Sequence, residues 1–224
     1  MTTRTASELR VEWLGRNQDY GEILRRQEAL VAERAADPEH VPERLLLLEH
    51  APVYTIGRTP DRSSLLVADQ LPHPVFTIGR GGQATYHGPG QLVGYPILDL
   101  NQRGRDLHRH LRALEELIII ALAQFGLMTN RREGLTGVWI DGRKIASIGV
   151  GVRRWVSYHG FAVNVARESL PPFQSITPCG IGGVAMTALD LESRAPVGVD
   201  VFAQAVTKVF QSHLDDLLPR TTAG

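Results

Sequence analysis

The sequence predicts a single α+β domain in which helices pack on a mixed, mostly antiparallel sheet. Three observations carry that prediction. Residues 138–140, 145–152 and 156–165 read as three consecutive strands, the first two joined by Asp141-Gly142, a strong hairpin signal. Helix-period patterns stand near the start, in the middle and at the end of the chain. No linker, charge block or low-complexity segment divides the 224 residues, a length that suits one sizeable domain.

Each element has a local reason. Residues 17–34 place Tyr20, Ile23, Leu24, Gln27, Leu30 and Val31 at helical spacing, and Asp37-Pro38 stops the helix. "RLLLLEH", residues 44–50, is a short continuous apolar run and predicts a buried strand. "VYTIG" and "VFTIG", residues 53–57 and 75–79, are β-rich echoes of each other, joined by a loop with Pro60, Pro72 and Pro74. Two copies of five residues do not make a repeat protein. "QLVGYPILDL" predicts a strand whose Pro96 suggests an edge or a bulge. Asp106 caps a helix that runs to Phe125 and ends at Gly126, with Leu107, Leu111, Leu114, Leu117 and Ile118 as its buried stripe. Residues 199–218 turn Phe202, Val206, Val209, Phe210 and Leu214 inward and Gln204, Lys208 and Gln211 outward. The domain is read as residues 1–224, with 1–16 and 219–224 as tails.

Charge and composition exclude several classes. Acidic and basic residues balance at 24 each, so no polyanionic partner is implied and nucleic-acid binding is not expected. The longest strongly apolar run, "LIIIALAQFGLM", is too short to span a bilayer. No apolar leader precedes a small-residue cleavage site, and one cysteine cannot form an internal disulfide. The expected compartment is the cytosol. The eight histidines show no metal-ligand spacing, and neither a metal nor a cofactor is expected. His50 and His159 read as structural or pocket residues, His108 and His110 as solvated at a helix start, and Trp139 and Trp155 as packing residues.

Three features point to chemistry. The sole cysteine, Cys179, sits between Pro178 and Gly180, in a turn or strand end that exposes side chains. Lys144 and Lys208 are the only lysines among 24 basic residues. Arginine stays protonated in proteins, whereas a desolvated lysine can release its proton. Lys208 falls on a surface helix and Lys144 does not. The segment "RGGQATYHGPGQ", residues 80–91, holds four glycines and lets backbone approach a ligand closely. It lacks the phosphate-loop and dinucleotide patterns.

"LLLLEHAPVYTIGR", "RGGQATYHGPGQLVGYPILDL", "GVWIDGRKIASIGVGVRRWVSYHGFAVNV" and "ITPCGI" resemble, in order, the motifs of the lipoyl(octanoyl) transferase, or lipoate-protein ligase B, family. The resemblance runs from Leu45 to Ile181. It implies a fold shared with biotin- and lipoate-protein ligases. It also implies transfer of octanoyl from octanoyl-acyl carrier protein to a lysine of lipoyl domains, those of 2-oxoacid dehydrogenase complexes and the glycine cleavage H protein. Carried over residue by residue, it implies Cys179 as nucleophile and Lys144 as its partner. It implies an acyl-binding site at Arg80, Gly81, Gly82, Gln83, Ala84, Thr85, Tyr86, His87, Ser147, Ile148, Gly149, Gly160, Phe161 and Ala162.

These residue types suit that chemistry. A thiolate attacking a thioester forms a thioester of similar energy, which keeps the acyl group reactive toward an amine. A thiol with a pKa near 8.5 needs a nearby cation to be largely thiolate at neutral pH. The acceptor ammonium must lose a proton, for which Lys144 is the first candidate base and His87 the second. Gly149 and Gly151 are expected to leave room for an acyl tail. The alternatives are an ATP-dependent lipoate or biotin ligase of the same fold, which needs no cysteine, and a non-catalytic module that binds lipoyl domains or acyl carrier protein.

Overall fold

In the computed structural model, which describes residues 9–58, 71–176 and 184–221, the main sheet is built from strands that are apolar on both faces. β2 (Arg44–Leu48) sends Leu45 and Leu47 to one side and Leu46 and Leu48 to the other. β6 (Gln91–Ile97) and β10 (Val156–Asn164) alternate likewise, with Leu92, Phe161 and Val163 on the first side and Val93, Tyr95 and Ala162 on the second. A strand covered on both faces reads as a continuous apolar run, which is why "RLLLL" lacks polar alternation. The first face lies under α2 (Leu107–Ala123) and α4 (Val199–Leu217), the second under α1 (Tyr20–Ala36).

Seven strands form this sheet in the order β1 (Arg10–Trp13), β2, β6, β10, β9 (Arg143–Arg153), β8 (Leu135–Ile140) and β7 (Asn130–Arg132). β1 runs parallel to β2, and every other pairing is antiparallel. A second sheet places β3 (Val53–Ile56) between a parallel β4 (Val75–Thr77) and an antiparallel β5 (Ala84–His87). A single turn, α3 (Leu189–Glu192), leads to α4. The result is the mixed, mostly antiparallel α+β fold that the sequence predicts.

The local signals hold at the helix starts and at the hairpin. The Asp19 side chain accepts the Glu22 N–H at 2.8 Å, and Asp106 accepts that of Arg109 at 2.9 Å. Asp141 and Gly142 take φ of 46° and 79°, the left-handed pair that a two-residue hairpin needs.

Four expectations need correction. β6 is not an edge strand: it lies between β2 and β10. Pro96 is tolerated because the β6–β10 ladder lapses beyond Gly94–Phe161 and resumes at Asp99–Val156, so no partner calls on the missing N–H. Residues 10–13, read as tail, are an edge strand because β2 offers them a parallel ladder. Leu107 is 41% exposed rather than buried. His110 is fully buried against the core, where burial pushes its pKa down to about 4.

Candidate active site

β5 and the glycine segment before it face the β9–β10 pair across a cleft enclosing about 510 Å³, its open mouth included. The two short segments singled out on β9 and β10 are cross-strand partners: Ser147 opposes Ala162, Ile148 opposes Phe161, and Gly149 opposes Gly160. All six line the cleft, as do Arg80, Gly81, Gly82, Gln83, Ala84, Thr85 and His87. Tyr86 does not. Side chains alternate along a strand, so Thr85 and His87 face the cleft while Tyr86 turns away to pack against Tyr54 and Phe173. The space at Gly149 is already used: a Cβ there would lie 3.0 Å from Arg80 Cδ. A Cβ at Gly151 would lie 2.6 Å from the Tyr158 ring. These glycines make room for Arg80 and Tyr158.

Sequence reasoning left Tyr20, Ile78 and Tyr95 out of the cleft, and treated His159 as undecided between structure and pocket; all four line it. Tyr20 and Tyr95 sit at apolar positions of a helix and a strand and read as core. Their polar tips were the one available signal. His50 lies behind them, its Nε2 2.8 Å from the Tyr95 hydroxyl and its Nδ1 3.0 Å from the Gln18 carbonyl. Burial lowers the pKa of His50 to about 4, and burial, with the neighbouring Arg80 charge as a smaller cause, lowers those of His87 and His159 to about 3. All three rings are therefore neutral near pH 7. Arg80 donates to the Thr55 carbonyl at 2.9 Å and to the Thr55 hydroxyl at 2.8 Å. Thr85 Oγ1, Gln83 Oε1 and His159 Nε2 are buried with no hydrogen-bond partner among the described residues. A ligand carrying polar atoms would complete them.

The protonation of His87 follows from its neighbours. The Thr187 carbonyl can only accept, so the nitrogen of Asn164, 3.0 Å away, donates to it. Asn164 Oδ1 then accepts from Gln91 Nε2 at 3.0 Å, and Gln91 Oε1 accepts from His87 Nδ1–H at 2.8 Å. Nδ1 is occupied, so Nε2 is the ring nitrogen left for a ligand in the cleft.

Lys144 stands at the wall of an adjoining cavity that shares Gly81, Gly82, Ile148 and Gly149 with the cleft. A bulge puts it there. Val138 pairs with Ala146 but Trp139 pairs with Lys144, so β9 carries one extra residue at this point. Ile145 and Ala146 both enter the main core, and Lys144 takes the opposite face. In an unbroken ladder Lys144 would share the core face of Ala146. Its stem crosses Gly137, whose φ is 131°; a Cβ there would lie 2.6 Å from Lys144 Cε. The ammonium lies 5.4 Å from the centre of the Trp139 ring, so this buried indole is a cavity wall as well as packing. The Lys144 backbone bridges to residues 185–187: its N–H donates to the Ala185 carbonyl at 2.8 Å, and the Thr187 N–H donates to its carbonyl at 3.0 Å. Cys179 lies outside the described residues, as do residues 59–70.

No group of metal-ligating side chains assembles among the described residues, and none of the described helices is long and apolar enough to cross a membrane. Residues 19–211 match the family model described as lipoyl protein ligase A/B catalytic domain. The chain is 53% identical over 193 residues to an octanoyltransferase of Geobacter metallireducens, covering 86% of this chain and 88% of that one. It is 45% identical over 203 residues to an octanoyltransferase of Synechococcus elongatus, covering 90% and 86%. Among solved structures, a bipartite lipoate protein ligase of Thermoplasma acidophilum matches with a TM-score of 0.69 at 17% identity, over 92% of this chain and 84% of that one. A biotin protein ligase of Aquifex aeolicus matches with a TM-score of 0.59 at 14% identity, over 93% and 72%. Those two likenesses concern the fold.

Proposed function

This chain belongs to the lipoyl protein ligase A/B catalytic-domain family and is an acyltransferase that moves octanoyl groups in protein lipoylation, and we propose that it does so through a thioester on Cys179, with Lys144 as partner. An acyl donor supplies the octanoyl group and a lipoyl domain receives it. In our reading the donor is octanoyl-acyl carrier protein. The acceptors are lipoyl domains of 2-oxoacid dehydrogenase complexes and the glycine cleavage H protein, and the reaction runs in the cytosol.

The observation that carries this reading is the bulge that turns Lys144 from the core to a cavity joined to the cleft. Two chain connections support it. Cys179 follows Ile176 by three residues, a reach of at most about 11 Å, and Ile176 belongs to the same buried cluster as Ala84 of the cleft wall. Six residues further on, Ala185 is hydrogen-bonded to Lys144.

In the first half-reaction the Cys179 thiolate attacks the octanoyl thioester. A new carbon–sulfur bond forms and the donor thiolate leaves. The Lys144 charge favours the attacking thiolate, and Lys144 returns a proton to the leaving sulfur. In the second, Lys144 accepts a proton from the incoming ammonium. The amine attacks the acyl-enzyme, an amide forms as the nitrogen gives its second proton to the departing Cys179 sulfur, and that thiol loses the proton to solvent before the next turnover. His87 is too weakly basic to take that proton, so its Nε2 instead accepts a hydrogen bond from the amine and aims it. Octanoyl lies in the cleft, with its carbonyl near the unpartnered Thr85 hydroxyl and the glycine segment.

Intact mass after incubation with octanoyl-acyl carrier protein tests the reading, without ATP or magnesium. One octanoyl adduct, labile to hydroxylamine, should form on the wild-type chain and be absent from Cys179→Ala. Lys144→Ala should slow formation by about 10³, within the span of acid–base and nucleophile activation. An adduct that persists in Cys179→Ala, or transfer that requires ATP, overturns it.

A further inference from the structure

We propose that Asn164 is a positioning residue for this reaction: through Gln91 it fixes the His87 tautomer, so that an unprotonated Nε2 meets the incoming amine. The proposal rests on the reading that His87 aims the acceptor lysine.

The inference follows from a chain of hydrogen bonds that can be oriented in one way. It starts at a backbone carbonyl, Thr187, which has no proton to give. Every later donor and acceptor is then determined, ending with Nδ1–H on His87. Gln91, Asn164 and Thr187 are each no more than 2% exposed, so water does not substitute for a missing link. Asn164 is the side chain that ties the relay to its backbone anchor, and it closes β10 directly opposite Gln91, which opens β6. The registry of the main sheet thus supplies the contact. Neither the cleft nor the adjoining cavity includes Asn164 in its walls, so its effect passes through other groups.

The anchor has a second consequence. The residue whose carbonyl starts the relay also donates its N–H to the Lys144 carbonyl. One buried residue therefore references both His87 on β5 and Lys144 on β9. With the relay cut, Gln91 is free to rotate its amide, His87 samples the Nε2–H tautomer, and the ring would then offer the ammonium a donor where an acceptor is needed.

Asn164→Leu cuts the relay at its middle, and Gln91→Leu cuts it next to the ring and covers the case in which the first variant does not fold. Nitrogen-15 NMR of the imidazole reads the tautomer, and rapid quench separates acylation from transfer to a lipoyl domain. Wild type should show a neutral ring protonated at Nδ1. A folded variant should show mixed tautomers, acylation within about twofold of wild type, and transfer slowed by about tenfold, the low end for losing one oriented group. A tautomer unchanged in both variants overturns the proposal, as does a changed tautomer with wild-type transfer. An equal loss in both half-reactions also overturns it, since that marks a structural role only. His87→Ala tests the underlying reading separately: normal transfer in that variant sinks the role of His87 itself, whereas slow transfer in His87→Ala with normal transfer in Asn164→Leu sinks only the role of Asn164.

Discussion

Two of the buried polar clusters among the described residues differ in kind, one closed and one open. In the closed one, the Arg103 guanidinium donates to both oxygens of Glu43, at 3.0 and 2.6 Å, to Asp215 at 2.8 Å and to the Leu218 carbonyl. Arg220 adds a bond to Glu43 at 2.7 Å, and the Asp99 N–H another at 2.9 Å. Burial alone would raise the Glu43 pKa; the Arg103 hydrogen bonds and charge outweigh it and hold the carboxylate below its usual range. In the open cluster, around the cleft, three histidines are held neutral by burial, and Thr85, Gln83 and His159 each keep a buried polar atom without a partner. The difference teaches where to look for function. A cluster whose ions pair with one another ties elements together, here α4 and the chain after it to the start of β2. A cluster left incomplete costs stability in the free protein and is completed by a ligand.

The largest expected effect comes from breaking the closed cluster. Glu43→Ala leaves Arg103 buried with only the exposed Asp215 as an anionic partner among the described residues. Removing one member of a buried ion network typically costs about 3–5 kcal/mol. Urea unfolding should show that loss, while the acylation rate of the remaining folded protein stays near wild type at low temperature. If acylation falls as steeply as stability, the two clusters are not separate and the contrast fails.

How much of this was legible beforehand differs between the clusters for a physical reason. Most elements could be read because both faces of β2, β6 and β10 are apolar and because Asp19, Asp106 and Asp141-Gly142 act locally. Most of the cleft could be reached because its residues lie in three short segments that a resemblance singles out. The bulge at Lys144 could not, since an extra residue in β9 is defined only against β8. Tyr20 and Tyr95 were hidden because each occupies an apolar position in its own element. Pro96 misled because a lapse in a ladder belongs to two strands, and the sequence displays one at a time. His110 misled because helix-start position says nothing about which face the sheet will cover.

The middle effect is on pH dependence, and it sharpens the contrast. His50, His87, His110 and His159 have folded pKa values of about 4, 3, 4 and 3, below the unfolded value. Above about pH 6.5 both states are neutral at these rings and nothing is lost. As pH falls below that, the unfolded chain takes up protons that the folded chain refuses, and stability declines until the folded pKa values are reached. Each ring contributes up to about 1.4 kcal/mol per pH unit in that window. Thermal melts from pH 7.5 to 4.5 should therefore fall steeply below pH 6.5, and His110→Leu should flatten the slope by about a quarter without touching acyl transfer. A flat profile down to pH 5 would mean that these rings are charged in the folded protein, and the open cluster would need another description.

The smallest effect tests the open cluster directly. Thr85→Val exchanges a hydroxyl for a methyl of similar shape at a site lining the cleft. In the free protein Oγ1 has no partner among the described residues, so its removal takes away a desolvation cost rather than a hydrogen bond. Stability should stay level or rise by less than about 1 kcal/mol, the reverse of most polar deletions in a core. Acylation by the octanoyl donor should slow, because the hydroxyl finds its partner only when the thioester carbonyl arrives, and removing one such donor costs up to about 10²-fold. A gain in stability paired with a loss in acylation is the signature of a residue kept for its ligand. A Thr85→Val chain that loses more than about 1 kcal/mol would show instead that the hydroxyl is already bonded in the free protein. The cleft would then be closed in the same sense as the Glu43–Arg103 cluster.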